Sequence, residues 1–137
     1  MGSNTYIHVY HHLVWATKNR EPLIAPEFRD ELYKYIAGIM TKMGWHVIAI
    51  GGTVDHIHIF FCVQKTHDIS DIVRCLKANS SQFIRQNNNS DFSWQSGYGW
   101  FSCTGVSTEG LKKYIFNQES HHAKQSFDDE MEQLAKM

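Results

Sequence analysis

The chain has 137 residues, 42% of them hydrophobic and 20% charged, which fits one domain with a sizeable core and leaves no room for a second catalytic unit. A net charge of −1 excludes a protein that coats nucleic acid by bulk electrostatics, because non-specific binding depends on phosphate neutralisation; any DNA contact is expected to be locally arranged. No apolar run approaches the roughly 20 residues that cross a bilayer, and the opening MGSNTY lacks the basic and apolar regions of a signal peptide, so a cytoplasmic protein is expected.

Taken in chain order, the first periodic segment is Tyr6 to Ala16, where Ile7, Val9, His11, Leu13 and Trp15 alternate with Tyr6, His8, Tyr10, His12 and Val14. A period of two is that of a strand. From Pro26 to Met43 the apolar residues Phe28, Leu32, Tyr35, Ile36, Ile39 and Met43 recur at helical spacing, with proline at the start and Gly44 just past the end. Trp45 to Ile50 and Val54 to Val63 read as two strands joined through Gly51-Gly52 as a hairpin. A second helix is expected from Ile69 to Gln86, leaving through the Asn87-Asn88-Asn89 stretch. The aromatic and glycine-rich FSWQSGYGWFSCTG reads as a loop entering a last strand near Gly99 to Cys103. Ser107-Thr108-Glu109 opens a third helix over Leu111 to His121, and a helical tail occupies about 124–137, with a short helix from Asp128 to Lys136. The order is βαββαβ followed by helices, so the fold class is α+β: a ferredoxin-like antiparallel sheet in a single domain, with helices on one face and the other face left for ligands or a partner.

The strand VDHIHIFFCV puts Asp55, Ile57, Ile59, Phe61 and Val63 on one face and His56, His58, Phe60 and Cys62 on the other. The apolar set should meet the helices, which turns both imidazoles to the helix-free side. Two neutral imidazoles one strand repeat apart, roughly 6–7 Å along the backbone, can converge on one metal ion. Taken alone the His-x-His pair is weak, because such pairs are more often surface or hydrogen-bonded decoration. Tyr114 and Gln118 stand four apart on the expected third helix and share a helix face, although a core tyrosine and a solvated glutamine would look the same. Three cysteines, Cys62, Cys75 and Cys103, form no close pair and read as reduced thiols. No glycine-rich phosphate loop follows a strand, so no nucleotide cofactor is expected. Candidate phosphate contacts are Lys18, Arg20, Arg74, Lys77, Arg85, Lys112, Lys113 and Lys124. Candidate stacking residues are Tyr6, Tyr10, His12, Trp94, Tyr98 and Trp100, each of which has core packing as the commoner role.

Several separate words of this sequence resemble the single-tyrosine HUH transposases of small bacterial insertion sequences, the insertion-sequence-200-like family. HLVWATKNREPLI resembles the family's first strand and following turn, DHIHIFF its His-hydrophobic-His strand, SSQFIRQ the exit of its second helix, WQSGYGWFS the approach to its last strand, and YIFNQESHH its tyrosine helix. The resemblance spans nearly the whole chain. It implies a helix after the sheet that carries the nucleophile Tyr114, with His56, His58 and Gln118 as protein ligands of a divalent metal, Mg2+ or Mn2+. It further implies single-stranded DNA hairpins at element ends as partners, and a homodimer whose tyrosine helix completes the histidine site of its partner. Valine at Val54, where the family often has proline, and the acidic charge balance are departures from its pattern.

Such residues suit strand transfer. A divalent ion acts as a Lewis acid on the scissile phosphate, and a mixed nitrogen and oxygen ligand set suits magnesium or manganese better than structural zinc. A covalent phosphotyrosine conserves bond energy for rejoining without ATP. A tyrosine of ordinary pKa near 10 held as phenolate at pH 7 would cost on the order of 4 kcal/mol, so activation is required. His121, His122 and Lys113 lie near Tyr114 in the chain, though exposure is the commoner role for such residues. Competing readings are a domesticated relative that processes repeated hairpins in its host genome, a DNA-binding regulator without cleavage, and a metal hydrolase that uses water.

Overall fold

The computed structural model describes residues 9–63 and 68–102. Four strands and two helices follow in the order β1 (Val9–Ala16), α1 (Arg29–Lys42), β2 (His46–Gly52), β3 (His56–Val63), α2 (Ile69–Asn87) and β4 (Gly99–Ser102). The strands form one sheet in the order β2-β3-β1-β4, and every neighbouring pair is antiparallel. The βαββαβ order read from the sequence is therefore the observed one. The further helices expected beyond Ser107 lie outside the described residues.

Local chemistry sets the element limits. Pro26 opens a 3-10 turn, Pro26–Phe28, and the α-helix proper begins one turn later at Arg29. α1 ends at Lys42, and Gly44 takes the left-handed conformation (φ +84°) common just past a helix end. Asp68 caps α2, its side chain accepting from the amides of Ser70 (2.9 Å) and Asp71 (3.3 Å).

The period-two alternation of the central strands divides the sheet. Leu13 and Trp15 of β1 and Ile57, Ile59 and Phe61 of β3 join Leu32, Ile36 and Met40 of α1 and Ile72, Val73, Leu76 and Ile84 of α2 in one buried core. The alternate residues His12, Val14, His56, His58 and Phe60 occupy the second face. That face is not open as the sequence suggests: His12 and Phe60 are 1% exposed, and Val14, His56 and His58 are 0% exposed. Cys62, also on this face, is a buried free thiol, while Cys75 is a half-buried one.

The hairpin between β2 and β3 also differs from expectation. Gly51 and Gly52 do not form the turn; they pair with His58 and Ile57 as the last residues of β2. The turn is Thr53-Val54-Asp55, so Asp55 precedes β3 instead of sharing a face with Ile57. The physical reason is close approach at Gly52, where a Cβ would sit 2.2 Å from the His56 carbonyl oxygen. Gly52→Ala must therefore push β2 and β3 apart beside His56, and overpacking of this kind costs about 1–3 kcal/mol. Gly38, inside α1, has nothing within 4 Å of its missing Cβ, so Gly38→Ala should be neutral or stabilise by up to about 1 kcal/mol. Urea unfolding of the two variants reads this contrast directly.

Candidate metal centre and nucleic-acid groove

His56 and His58 come from β3 with their rings 4.9 Å apart between centroids and nearly perpendicular. Each ring is held at Nδ1. His56 Nδ1 lies 2.7 Å from Asp55 Oδ1 and 2.9 Å from Thr53 Oγ1. Thr53 Oγ1 in turn donates to Asp55 Oδ1 at 2.9 Å. Arg20 closes the network, with Nη2 donating to both carboxylate oxygens of Asp55 at 3.1 Å. His58 Nδ1 lies 2.7 Å from Nε2 of His12 on the adjacent strand.

The electrostatics keep this network ionised at one end and neutral at the other. Burial opposes the Asp55 charge, but hydrogen bonds from His56, Arg20 and Thr53 and the charge of Arg20 outweigh it and hold the carboxyl well below the usual carboxylate range. An ionised carboxylate only accepts, so His56 carries its hydrogen on Nδ1 and would coordinate through Nε2. Burial pushes His12 down to about 3, which leaves it neutral at pH 7. Histidines whose outer nitrogen is tied to a carboxylate or another fixed group form the usual support of a metal site. The donor set therefore fits a divalent cation that takes two imidazoles and completes its shell elsewhere. Among the described residues no group of three His, Cys, Asp or Glu side chains could hold a metal by itself.

Arg20 reaches Asp55 from a turn, Lys18–Arg20, in which Asn19 (φ +55°) and Arg20 (φ +57°) both adopt the left-handed conformation. Such backbone costs roughly 1–2 kcal/mol per residue and is held by neighbours: the Asn19 amide donates to Gln95 Oε1 at 2.8 Å, and the Arg20 amide to the Thr17 carbonyl at 3.0 Å.

On the helix side of the sheet, α2 and the loop before β4 border a groove of about 470 Å3. Arg74, Lys77, Arg85, Trp94 and Tyr98 all line it, which brings together five candidates that the sequence scatters over 25 positions, 74–98. Lys77 Nζ donates to the carbonyls of Gln95 (2.6 Å) and Gly97 (3.0 Å) and so fixes the loop to α2. Partial burial lowers its pKa. Arg74 pairs with Asp71 on the exposed side of α2, and Arg85 Nη1 donates to the Phe92 carbonyl at 3.4 Å. Trp94 has an edge contact with Trp15 and donates to Ser80 Oγ at 3.0 Å, whereas Tyr98 is 42% exposed.

Comparison with known proteins decides what kind of chain carries these two features. A family model described as Transposase IS200 like matches residues 5–118. The chain belongs to this family. Two solved structures share the transposase fold. A candidate transposase from Deinococcus radiodurans R1 aligns with a TM-score of 0.69 and 24% identity, over 86% of this chain and 96% of that one. A REP-associated tyrosine transposase bound to a REP hairpin aligns with a TM-score of 0.60 and 14% identity, over 90% of this chain and 73% of the other. No curated protein matches the sequence.

For this transposase the remaining sequence candidates divide clearly. Tyr114, Gln118, Lys112, Lys113, His121, His122, Lys124 and Tyr6 lie outside the described residues. Lys18 is exposed beside the groove loop, its amide donating to the Ser93 carbonyl at 3.1 Å. Arg20 is tied to Asp55 by an ion pair at 3.1 Å. Among the stacking candidates, His12 is buried and bonded to His58, which takes it off any stacking surface. Trp100 is half-buried like Trp94, donates to His11 Nδ1 at 2.8 Å and packs edge-on against Phe61 and Trp45. Tyr10 is 37% exposed and leans on Phe60. Sequence reasoning missed Thr53, Asp55 and His12 as supports of the histidine pair. The available signal was the parity of β1, which puts His12 on the same face as His58 once the two strands are neighbours. Among the described residues no helix is long and apolar enough to cross a membrane.

Asp55 yields a pH test. Its folded pKa is depressed, so its stabilising contribution is complete above the unfolded value of about 4 and is lost as pH falls through the lower folded value. The stability gap between wild type and Asp55→Asn should be widest near neutrality and narrow steadily below pH 4 in urea titrations.

Proposed function

We propose that this transposase cuts and rejoins single-stranded DNA at the ends of a mobile element through a covalent 5′-phosphotyrosine at Tyr114. The observation that carries the reading is the pair His56 and His58 on one face of β3, each with a hydrogen-bonding partner at Nδ1, so that each would coordinate through Nε2. These two imidazoles and the amide oxygen of Gln118 would hold Mg2+ or Mn2+. When bound, the ion supplies Lewis-acid stabilisation of negative charge on the scissile phosphate. In the cleavage step the Tyr114 oxygen forms a bond to phosphorus, the bond from phosphorus to the 3′ oxygen breaks, and that oxygen leaves as a 3′ hydroxyl with a proton. A 3′ hydroxyl from another end then reverses the exchange and frees the tyrosine.

Hairpin DNA is the proposed partner, supported by the similarly folded transposase that holds a REP hairpin. The groove of Arg74, Lys77, Arg85, Trp94 and Tyr98 joins cations to an exposed aromatic ring, the combination that suits single strands. It lies across the sheet from the histidines, so gripping and cutting would use different faces. The working unit is proposed to be a homodimer in which the tyrosine helix of one subunit completes the histidine site of the other.

The direct test mixes labelled single-stranded DNA from both flanks of the gene with protein and Mg2+ or Mn2+, and looks for an adduct that survives SDS. Wild type should form it. Tyr114→Phe and EDTA should abolish it, and His56→Ala or His58→Ala should reduce it by about 100-fold or more. Cleavage that persists in Tyr114→Phe would move the nucleophile to water or another residue and sink the mechanism. Binding of the same DNA tests the groove. Tyr98→Ala should weaken it by about 1–3 kcal/mol, and Arg85→Ala should reduce the salt slope by about 0.7 for each phosphate it no longer neutralises. Unchanged affinity and slope in both variants would place the DNA elsewhere.

A further inference from the structure

The hydrogen bond between His12 and His58 has a direction that the chemistry of coordination settles. Two imidazole nitrogens 2.7 Å apart share one hydrogen: one ring donates and the other accepts. A neutral imidazole that coordinates through Nε2 uses the lone pair there, so its hydrogen resides on Nδ1. In His58, Nδ1 is the atom facing His12. His58 must therefore be the donor, His12 Nε2 the acceptor, and the hydrogen of His12 must sit on its own Nδ1. The opposite polarity would place the His58 hydrogen on Nε2 and occupy the lone pair that a cation needs.

We infer that His12 is a positioning residue for the metal centre: by accepting from His58 Nδ1–H it selects the tautomer, and fixes the ring plane, in which His58 Nε2 can coordinate. This rests on the divalent-cation reading given above. The geometry for it is built into the sheet. β1 and β3 are adjacent antiparallel strands, with His12 opposite Phe60 and Val14 opposite His58, so the two rings meet across a diagonal of the register with centroids 4.9 Å apart. Phe101 of β4 is opposite His12 and meets its ring edge-on, centroids 6.3 Å apart. His12 is 1% exposed and His58 0% exposed, which shields the bond from competition by bulk water. The arrangement repeats by other means what Asp55 and Thr53 do for His56. One ligand has a carboxylate as its acceptor and the other has an imidazole, and both are left to bind through the same nitrogen.

The test has a spectroscopic arm that needs no metal and a binding arm that needs no DNA. Long-range proton–nitrogen correlation on metal-free protein with 15N-labelled histidine reads the His58 tautomer. Wild type should show hydrogen on Nδ1. His12→Leu, which cannot accept, should lose that preference, whereas His12→Gln, whose amide oxygen can reach the position of Nε2, should keep it. Mn2+ titrations followed by EPR should show affinity about 10–100-fold weaker in His12→Leu and near wild type in His12→Gln. If His12→Leu does not fold, His12→Asn replaces it, since its shorter amide falls short of the Nε2 position. Wild-type His58 with hydrogen on Nε2, or His12→Leu with wild-type tautomer and Mn2+ affinity, would overturn the inference. Absence of Mn2+ binding in wild type would overturn the metal reading instead, while the tautomer comparison would still decide whether His12 is the acceptor.

Discussion

The pairing of β1 with β3 at the centre of the sheet is the constraint on which the rest of this structure depends. Its register runs unbroken from Val9 opposite Val63 to Ala16 opposite His56, and both strands are flanked on their other side, by β4 and β2. Because side chains alternate along a strand, one choice of register fixes two faces at once. Leu13, Trp15, Ile57, Ile59 and Phe61 are committed to the helices, and His12, His56 and His58 are thereby committed together to the far side. A slip by one residue would exchange core for site. Burial of the large apolar side chains, worth about 1.5–3 kcal/mol each relative to exposure, opposes any such slip.

The same register creates a problem that the polar groups answer. Three imidazoles in a place without solvent each bring a hydrogen-bonding requirement, and a buried polar group left unmet costs about 1–3 kcal/mol. Asp55 and Thr53 meet the requirement at His56, and His12 and His58 meet part of it for one another. Arg20 then balances the Asp55 charge from a turn with two consecutive left-handed residues. Strain at this turn and the depressed carboxyl pKa of Asp55 belong to one arrangement, in which backbone cost is offset so that a carboxylate stays charged next to a histidine. The consequence is a pair of rings with little freedom to rotate, which suits the phosphate alignment proposed for the site.

Much of this was legible in the sequence because it depends on local period and turn chemistry. The alternation in VDHIHIFFCV gave the correct face for His56 and His58, the apolar stripes gave both helices, and the motif words gave the family. What was not legible depends on which strands become neighbours. His12 reads as one more aromatic residue until β1 lies beside β3, and the burial of the histidine face follows from tertiary structure that no local pattern encodes. Gly51-Gly52 looks like turn chemistry, but the glycines serve close strand approach, a use that resembles a turn signal in sequence. Similarly, Arg74, Lys77, Arg85, Trp94 and Tyr98 gather around one groove because the 92–97 segment is tied to α2 through Lys77, Arg85 and Trp94. Arg20 shows the converse, a cation that looks ready for phosphate and is engaged by Asp55.

The proposed role of the tied imidazoles of β3 is to bind a divalent cation, each through one nitrogen. Pulsed EPR on the Mn2+-loaded protein counts the coordinated imidazoles from their 14N couplings. Two are expected in wild type, and one in each of His56→Ala and His58→Ala. A wild-type signal with no histidine nitrogen coupling would contradict it and leave the buried histidines as a purely structural hydrogen-bond network.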